Sequence, residues 1–122
     1  FVLKGLERMH GGEIFVPKIP SVRIIDLAKA MAPELSIKVI GIRPGEKLHE
    51  VMCPKDDSHL TIEFKDYFVI TPSIKFSSSS YDPTVSKLNE KGKYVNQGYE
   101  YDSGSNPHFL STNEILQYND SI

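Results

Sequence analysis

A chain of 122 residues is long enough for one modest domain, and its 39% apolar and 25% charged residues are the balance of an ordinary globular protein. A formal net charge of -2 argues against a nucleic-acid-binding face or a polybasic membrane anchor. No apolar run approaches the roughly 20 residues that span a bilayer, and the single cysteine, Cys53, forbids an intrachain disulfide and makes the cytoplasm the simplest compartment.

The chain opens on "FVLKGLERM", with Val2, Leu3, Leu6 and Met9 at helical spacing. A start inside a helix leads us to expect a longer protein with part of its machinery upstream. Gly11-Gly12 is expected to stop that helix, with Arg8 and His10 near its negative end. "EIFV" (13–16) reads as a short strand broken by Pro17, and "PKIP" as an extended connector. Ser21 is placed to cap a helix over 22–32, whose stripe is Ile24, Leu27, Ala28 and Met31, and Pro33 ends it. "IKVIGI" (37–42) reads as a strand, "RPG" as the turn out of it, and "EKLHEVM" (46–52) as a short helix.

Past Pro54 the texture changes. "LTIEF" (60–64) and "YFVI" (67–70) flank Lys65-Asp66 as a β-hairpin. Residues 71–93, with a serine run at 77–80, read as a polar surface loop, and 94–106 is rich in tyrosine and turns. Ser111 and Glu114 form a capping box that starts a short C-terminal helix. The pattern predicts an α/β fold in two segments: a core over 1–56 that carries R-P-G-E-K, and a hairpin with an irregular tail over 57–122.

Few residues combine into recognisable chemistry. Neither Gly11-Gly12 nor the Gly41/Gly45 pair matches the G-x-G-x-x-G turn of a dinucleotide site, and no phosphate-binding P-loop is present. His10, His49, His59 and His108 are scattered without ligand spacing, so no metal is expected. Cys53 has no neighbouring base to make it a nucleophile. The most concentrated polar group is "GIRPGEKLHE" (41–50). Arg43 offers a donor fork that fits phosphate oxygens, and Glu46 can accept hydrogen bonds from sugar hydroxyls. Pro44 and Gly45 would hold both on one side of a turn. The alternative is a solvated turn closed by an Arg43–Glu46 ion pair.

"GGEIFVPKIPS", "DLAKAMAP" and "IGIRPGEKLHEVM" resemble the C-terminal part of bacterial UDP-N-acetylglucosamine 4,6-dehydratases and their capsular-polysaccharide relatives. These are extended short-chain dehydrogenase/reductases, and some relatives carry the label UDP-glucose 4-epimerase. "YEYDSGSNPHFLSTNEI" is similar to the tail of the C5-inverting subgroup. The resemblance implies the small substrate domain of such an enzyme, without its Rossmann cofactor domain. It implies that Arg43 binds the UDP diphosphate and Glu46 the ribose, with Lys18 and Lys47 as secondary candidates whose alternative is a solvated or structural role. It implies NAD(P) in the parent enzyme, held by an upstream Rossmann domain of the same protein, and a homo-oligomer whose tyrosine-rich tail either crosses to a neighbour or packs on its own domain.

The family's catalytic Y-x-x-x-K is not found in this chain. None of Tyr67, Tyr81, Tyr94, Tyr99, Tyr101 and Tyr118 is followed by Lys four positions on. No catalytic residue carries over, and the chain alone is expected to be inactive. Three functions remain open at this point: part of a 4,6-dehydratase, part of a UDP-sugar 4-epimerase, or a non-catalytic binding or oligomerisation module.

Overall fold

The computed structural model describes residues 1–74 and 81–120; the serine run 77–80 lies outside the described residues. The chain divides into two units, each assembled from two separated stretches: Phe1–Lys18 with Val51–Asp102, and Ile19–Glu50 with Ser103–Ile122. Neither coincides with the contiguous segments 1–56 and 57–122 expected above. Helices and antiparallel sheets together make the fold α/β.

The first unit begins with helix α1, Val2–Arg8. It closes before Gly11-Gly12, which corrects the expected stop. Met9 is already extended (φ -69, ψ 143). The Glu13 carboxylate then accepts the N–H groups of His10 at 2.8 Å and Gly11 at 2.6 Å, so these amides serve a turn rather than another helical turn. Strand β1, Ile14–Pro17, follows. Helix Lys55–Leu60, of the 3₁₀ type, comes after the short strand β2, Val51–Cys53. Strands β3 (Thr61–Glu63) and β4 (Tyr67–Ile70) form the expected hairpin, in which the Phe64 N–H donates to the Tyr67 carbonyl at 2.9 Å. With β5, Lys93–Tyr94, the sheet order is β1-β4-β3-β5, all antiparallel. Pro17 ends an edge strand, where a missing N–H costs no ladder bond.

Every residue of β4 is buried, because both faces of the sheet are covered. Phe68 and Ile70 pack with Val16, Cys53 and Tyr101. Tyr67 and Val69 pack with Ile62, Phe64 and Phe15. Tyr101 comes from strand β6, Tyr101–Asp102, which pairs with β2. The tyrosine-rich stretch thus puts Tyr99 and Tyr101 on Phe68 within this unit. Gly92 runs so close beneath the sheet that a Cβ there would lie 2.7 Å from Ile62 Cγ2 and 2.9 Å from the Phe64 ring. Both neighbours are buried, so Gly92→Ala is expected to cost about 1–3 kcal/mol through overpacking. The urea midpoint measures it, and an unchanged midpoint rejects it.

The second unit packs helix α2, Ile24–Met31, on helix α3, Thr112–Asp120. Ala30, Leu110 and Ile115 form the core, with Val22 and Leu27 against it. The expected stripe is only partly right: Leu27 packs inward, but Ile24 and Met31 are exposed and Ala30 takes the buried position. Ser21 does not cap α2; the N-cap is Arg23. Ser21 instead exchanges backbone bonds with the tail (its N–H to His108 O at 2.8 Å, Leu110 N–H to its carbonyl at 2.9 Å), and Asn106 Nδ2 donates to its hydroxyl at 3.1 Å. The Ser111–Glu114 capping box is present: the Ser111 hydroxyl donates to the Glu114 carboxylate at 2.6 Å, and the Ser111 N–H at 2.8 Å.

Two expected elements are absent. Residues 37–42 form no strand and 46–50 no helix. The apolar run 37–42 finds no partner strand among the described residues, and an unpaired strand has no ladder to define it. Residues 51–53 are a strand instead of a helical end, because Tyr101–Asp102 pairs with them.

Candidate functional site

Arg43, Pro44, Gly45 and Glu46 form one tight turn. The Glu46 N–H donates to the Arg43 carbonyl at 3.1 Å, and Gly45 has φ 86. Pro at the second position and a positive φ at the third are the signature of a type II turn, which a residue with a side chain at Gly45 would strain. The Glu46 carboxylate accepts the Arg43 main-chain N–H at 2.7 Å and Arg43 Nε at 2.5 Å. These two bonds, the main-chain one first, hold the Glu46 carboxyl below the usual carboxylate range. The ion-pair alternative therefore describes the geometry as it stands. It also leaves the chemistry of a ligand grip in place. Arg43 is 79% exposed, and its Nη1 and Nη2 groups hydrogen-bond to nothing among the described residues. Each Glu46 oxygen keeps a further lone-pair position.

The turn borders an open concavity lined by Val39, Ile40, Ile42, Lys47 and Leu48, together with Ile24 of α2. Lys47 is exposed there. Lys18 belongs to the first unit. Its ammonium is 2.9 Å from Glu63 Oε1 and 3.2 Å from the Lys65 carbonyl, and lies 4.9 Å from the centre of the Phe68 ring. That is the structural role named as its alternative. Arg43, Glu46 and Lys47 thus fall together in the second unit.

The root of this loop is tied to the tail, which the sequence reading missed. The Ser103 N–H donates to the Glu50 carbonyl at 2.9 Å, and the Glu50 N–H to Ser103 Oγ at 3.0 Å. The His49 ring lies against Gly104, where a Cβ would stand 2.7 Å from Cγ and Nδ1. No local pattern announces a contact across 53 residues. A second missed group lies in the first unit, where Arg8, Tyr67 and Ser86 all hydrogen-bond to Glu90.

Other candidate chemistry finds no support. Cys53 is fully buried, and burial pushes its thiol up to about 11, so it is a packing group rather than a nucleophile. His10 stacks on Tyr81 with ring centres 4.1 Å apart, and a ring nitrogen lies 3.1 Å from the Val85 carbonyl. Among the described residues, no three His, Cys, Asp or Glu side chains gather as metal ligands, and no helix is long and apolar enough to cross a membrane. A dinucleotide does not fit either. Gly11 and Gly12 lead from a helix into a strand, the reverse of the strand-to-helix turn that cradles a pyrophosphate.

Comparison with known proteins adds four findings. The family model described as "Polysaccharide biosynthesis protein" matches residues 1–72. The UDP-N-acetylglucosamine 4,6-dehydratase (inverting) of Campylobacter jejuni serotype O:2 is 57% identical over 117 residues, 96% of this chain and 35% of that protein. The UDP-glucose 4-epimerase of Rickettsia massiliae is 36% identical over 73 residues, 57% of this chain and 21% of that protein. Among solved structures, the X-ray structure of Pen from Bacillus thuringiensis matches with a TM-score of 0.70 at 25% identity, over 98% of this chain and 34% of that one. The chain spans about a third of the length of the curated relatives it matches.

Proposed function

The chain belongs to the polysaccharide biosynthesis protein family, and from that premise we propose that it is the UDP-sugar-binding C-terminal part of a C5-inverting UDP-N-acetylglucosamine 4,6-dehydratase acting in surface-polysaccharide synthesis. The observation that carries this reading is the 57% identity, sustained over 96% of the chain, to an inverting dehydratase. The 4-epimerase alternative rests on a lower identity over little more than half of the chain.

In this reading Arg43 turns its free Nη groups to the diphosphate. Glu46, kept ionised by Arg43, accepts the ribose hydroxyls. Lys47 adds positive charge beside them. The NAD(P) and the catalytic tyrosine, which act on the reacting sugar carbons, belong to an upstream Rossmann domain of the intact protein, which works as a homo-oligomer. The residues of this chain do not fit that cofactor, and no step of the reaction is assigned to them.

Arg43→Ala in the intact protein is expected to weaken UDP binding by about 1.5–3 kcal/mol, the scale of a hydrogen bond to a charged group. Calorimetry measures it, and an unchanged Kd rejects the grip. The product formed from UDP-N-acetylglucosamine separates the two enzyme readings. A 4-keto-6-deoxy sugar supports the dehydratase, and a C4 epimer the alternative.

A further inference from the structure

We propose that Ser103 and Gly104 are positioning residues for the Arg43–Glu46 grip, an inference that rests on the UDP-binding reading above. Between α2 and β2 the chain runs through residues 33–50 without a helix or strand, and all of these residues are exposed. Such a stretch is not held by burial. Its own backbone bonds are local: Leu35 N–H to Ala32 O at 3.2 Å, and Glu46 N–H to Arg43 O at 3.1 Å. What fixes its far end is the tail.

Ser103 makes two bonds to the Glu50 backbone, at 2.9 and 3.0 Å. Gly104 receives the flat side of His49, a fit that any side chain at 104 would prevent. The tail is anchored in turn. Asn106 Nδ2 donates to the Ile19 carbonyl at 2.7 Å and to Ser21 Oγ at 3.1 Å, and Ser21 exchanges backbone bonds with His108 and Leu110. Segment 103–110 is thus a rail between the start of this unit and the root of the loop. Ser103 and Gly104 thus fix the chain at Glu50 and His49, four and three residues beyond Glu46, and loosening that end frees the loop that carries the carboxylate orienting Arg43. The tail sets the grip without touching the ligand.

The test is a double-mutant cycle in the intact protein, with the Kd for UDP read by calorimetry. Gly104→Ala is expected to weaken UDP roughly tenfold, the scale on which contacting residues couple. In a background with both Arg43→Ala and Glu46→Ala it should weaken UDP no further, because it acts through those two residues. Adding His49→Ala to Gly104→Ala removes the colliding ring and should recover most of the loss. A Gly104→Ala protein that binds UDP like wild type overturns the proposal, and so does an equal loss in both backgrounds. If Gly104→Ala does not fold, Ser103→Ala removes only the Oγ acceptor and is held to the same pattern at smaller amplitude. If UDP does not bind the wild-type protein, the grip reading fails on its own. Positioning is then judged by amide hydrogen exchange at Arg43, Gly45 and Glu46: faster exchange in Gly104→Ala upholds it, and unchanged exchange overturns it.

Discussion

Replacing Phe68 with alanine is expected to cost about 3–5 kcal/mol of folding stability, the range for an aromatic ring removed from a core. Phe68 is 2% exposed at the centre of β4. Its ring meets Tyr101 and Tyr99 at centroid distances of 5.0 and 5.6 Å, and the Lys18 ammonium lies 4.9 Å from its centre. Val16, Cys53 and Ile70 complete the cluster. Alanine would remove the surface on which both tyrosines rest, and a cavity walled by two strands and a tail cannot collapse cheaply. Ile14, on β1 and paired with Ile70, is the control: it is 60% exposed. Ile14→Ala should cost no more than about 0.5–1 kcal/mol. Urea unfolding measures both. Similar losses at the two positions would mean that strand propensity, not burial, governs the sheet.

The hairpin was legible because its signals are local. Two apolar runs flank a polar pair, and their pairing needs only the turn between them. The partners of β1 and β5 come from far along the chain, and composition does not name them. The same limit explains the misreadings. Residues 37–42 have the composition of a strand, but the described residues supply no partner for them. Leu48, Val51 and Met52 have helical spacing, but Val51–Cys53 pairs with Tyr101–Asp102. Ser21 looked like a cap by residue type, yet its hydroxyl and backbone are taken up by Asn106, His108 and Leu110. In each case a tertiary partner outweighed a local preference.

The turn of the candidate site was legible for the opposite reason. Pro44 and Gly45 dictate its backbone between them, and Arg43 and Glu46 are then neighbours whatever the rest of the chain does. What sequence could not provide was the support behind it. Glu50 and His49 meet Ser103 and Gly104 through a path in space that no local spacing encodes. The polar loop 71–93 hid Glu90 in the same way, since a carboxylate among lysines and serines reads as solvated.

Glu90→Ala is the second large effect, expected to lower stability by about 3 kcal/mol at neutral pH. The carboxylate accepts Arg8 Nε at 2.6 Å and Arg8 Nη2 at 2.7 Å, with Tyr67 Oη at 2.9 Å and Ser86 Oγ at 3.0 Å. Arg8 is only 14% exposed, so alanine strands a guanidinium and a phenol that water reaches poorly. The same contacts, the Arg8 hydrogen bonds foremost, hold the Glu90 carboxyl down at about 2, and burial and Glu90 push the Tyr67 hydroxyl up to about 12. A carboxyl whose value falls on folding stabilises the fold fully above its unfolded value near 4.5. That contribution fades as pH drops toward 2. Glu90 keeps 36% exposure, so solvent screening reduces the pH-dependent part to roughly 1–2 kcal/mol. The remainder of the alanine effect is the stranded partners. Wild type should therefore lose stability faster than Glu90→Ala between pH 4.5 and 2, with a constant gap from that window up to neutral pH. Glu46, Glu63, Asp82 and Glu114 are also held low, but they titrate alike in both proteins and cancel in the difference. Unfolding curves that stay parallel down to pH 2 would show that Glu90 carries no such linkage, and that the Arg8 contact is a surface pair of little weight.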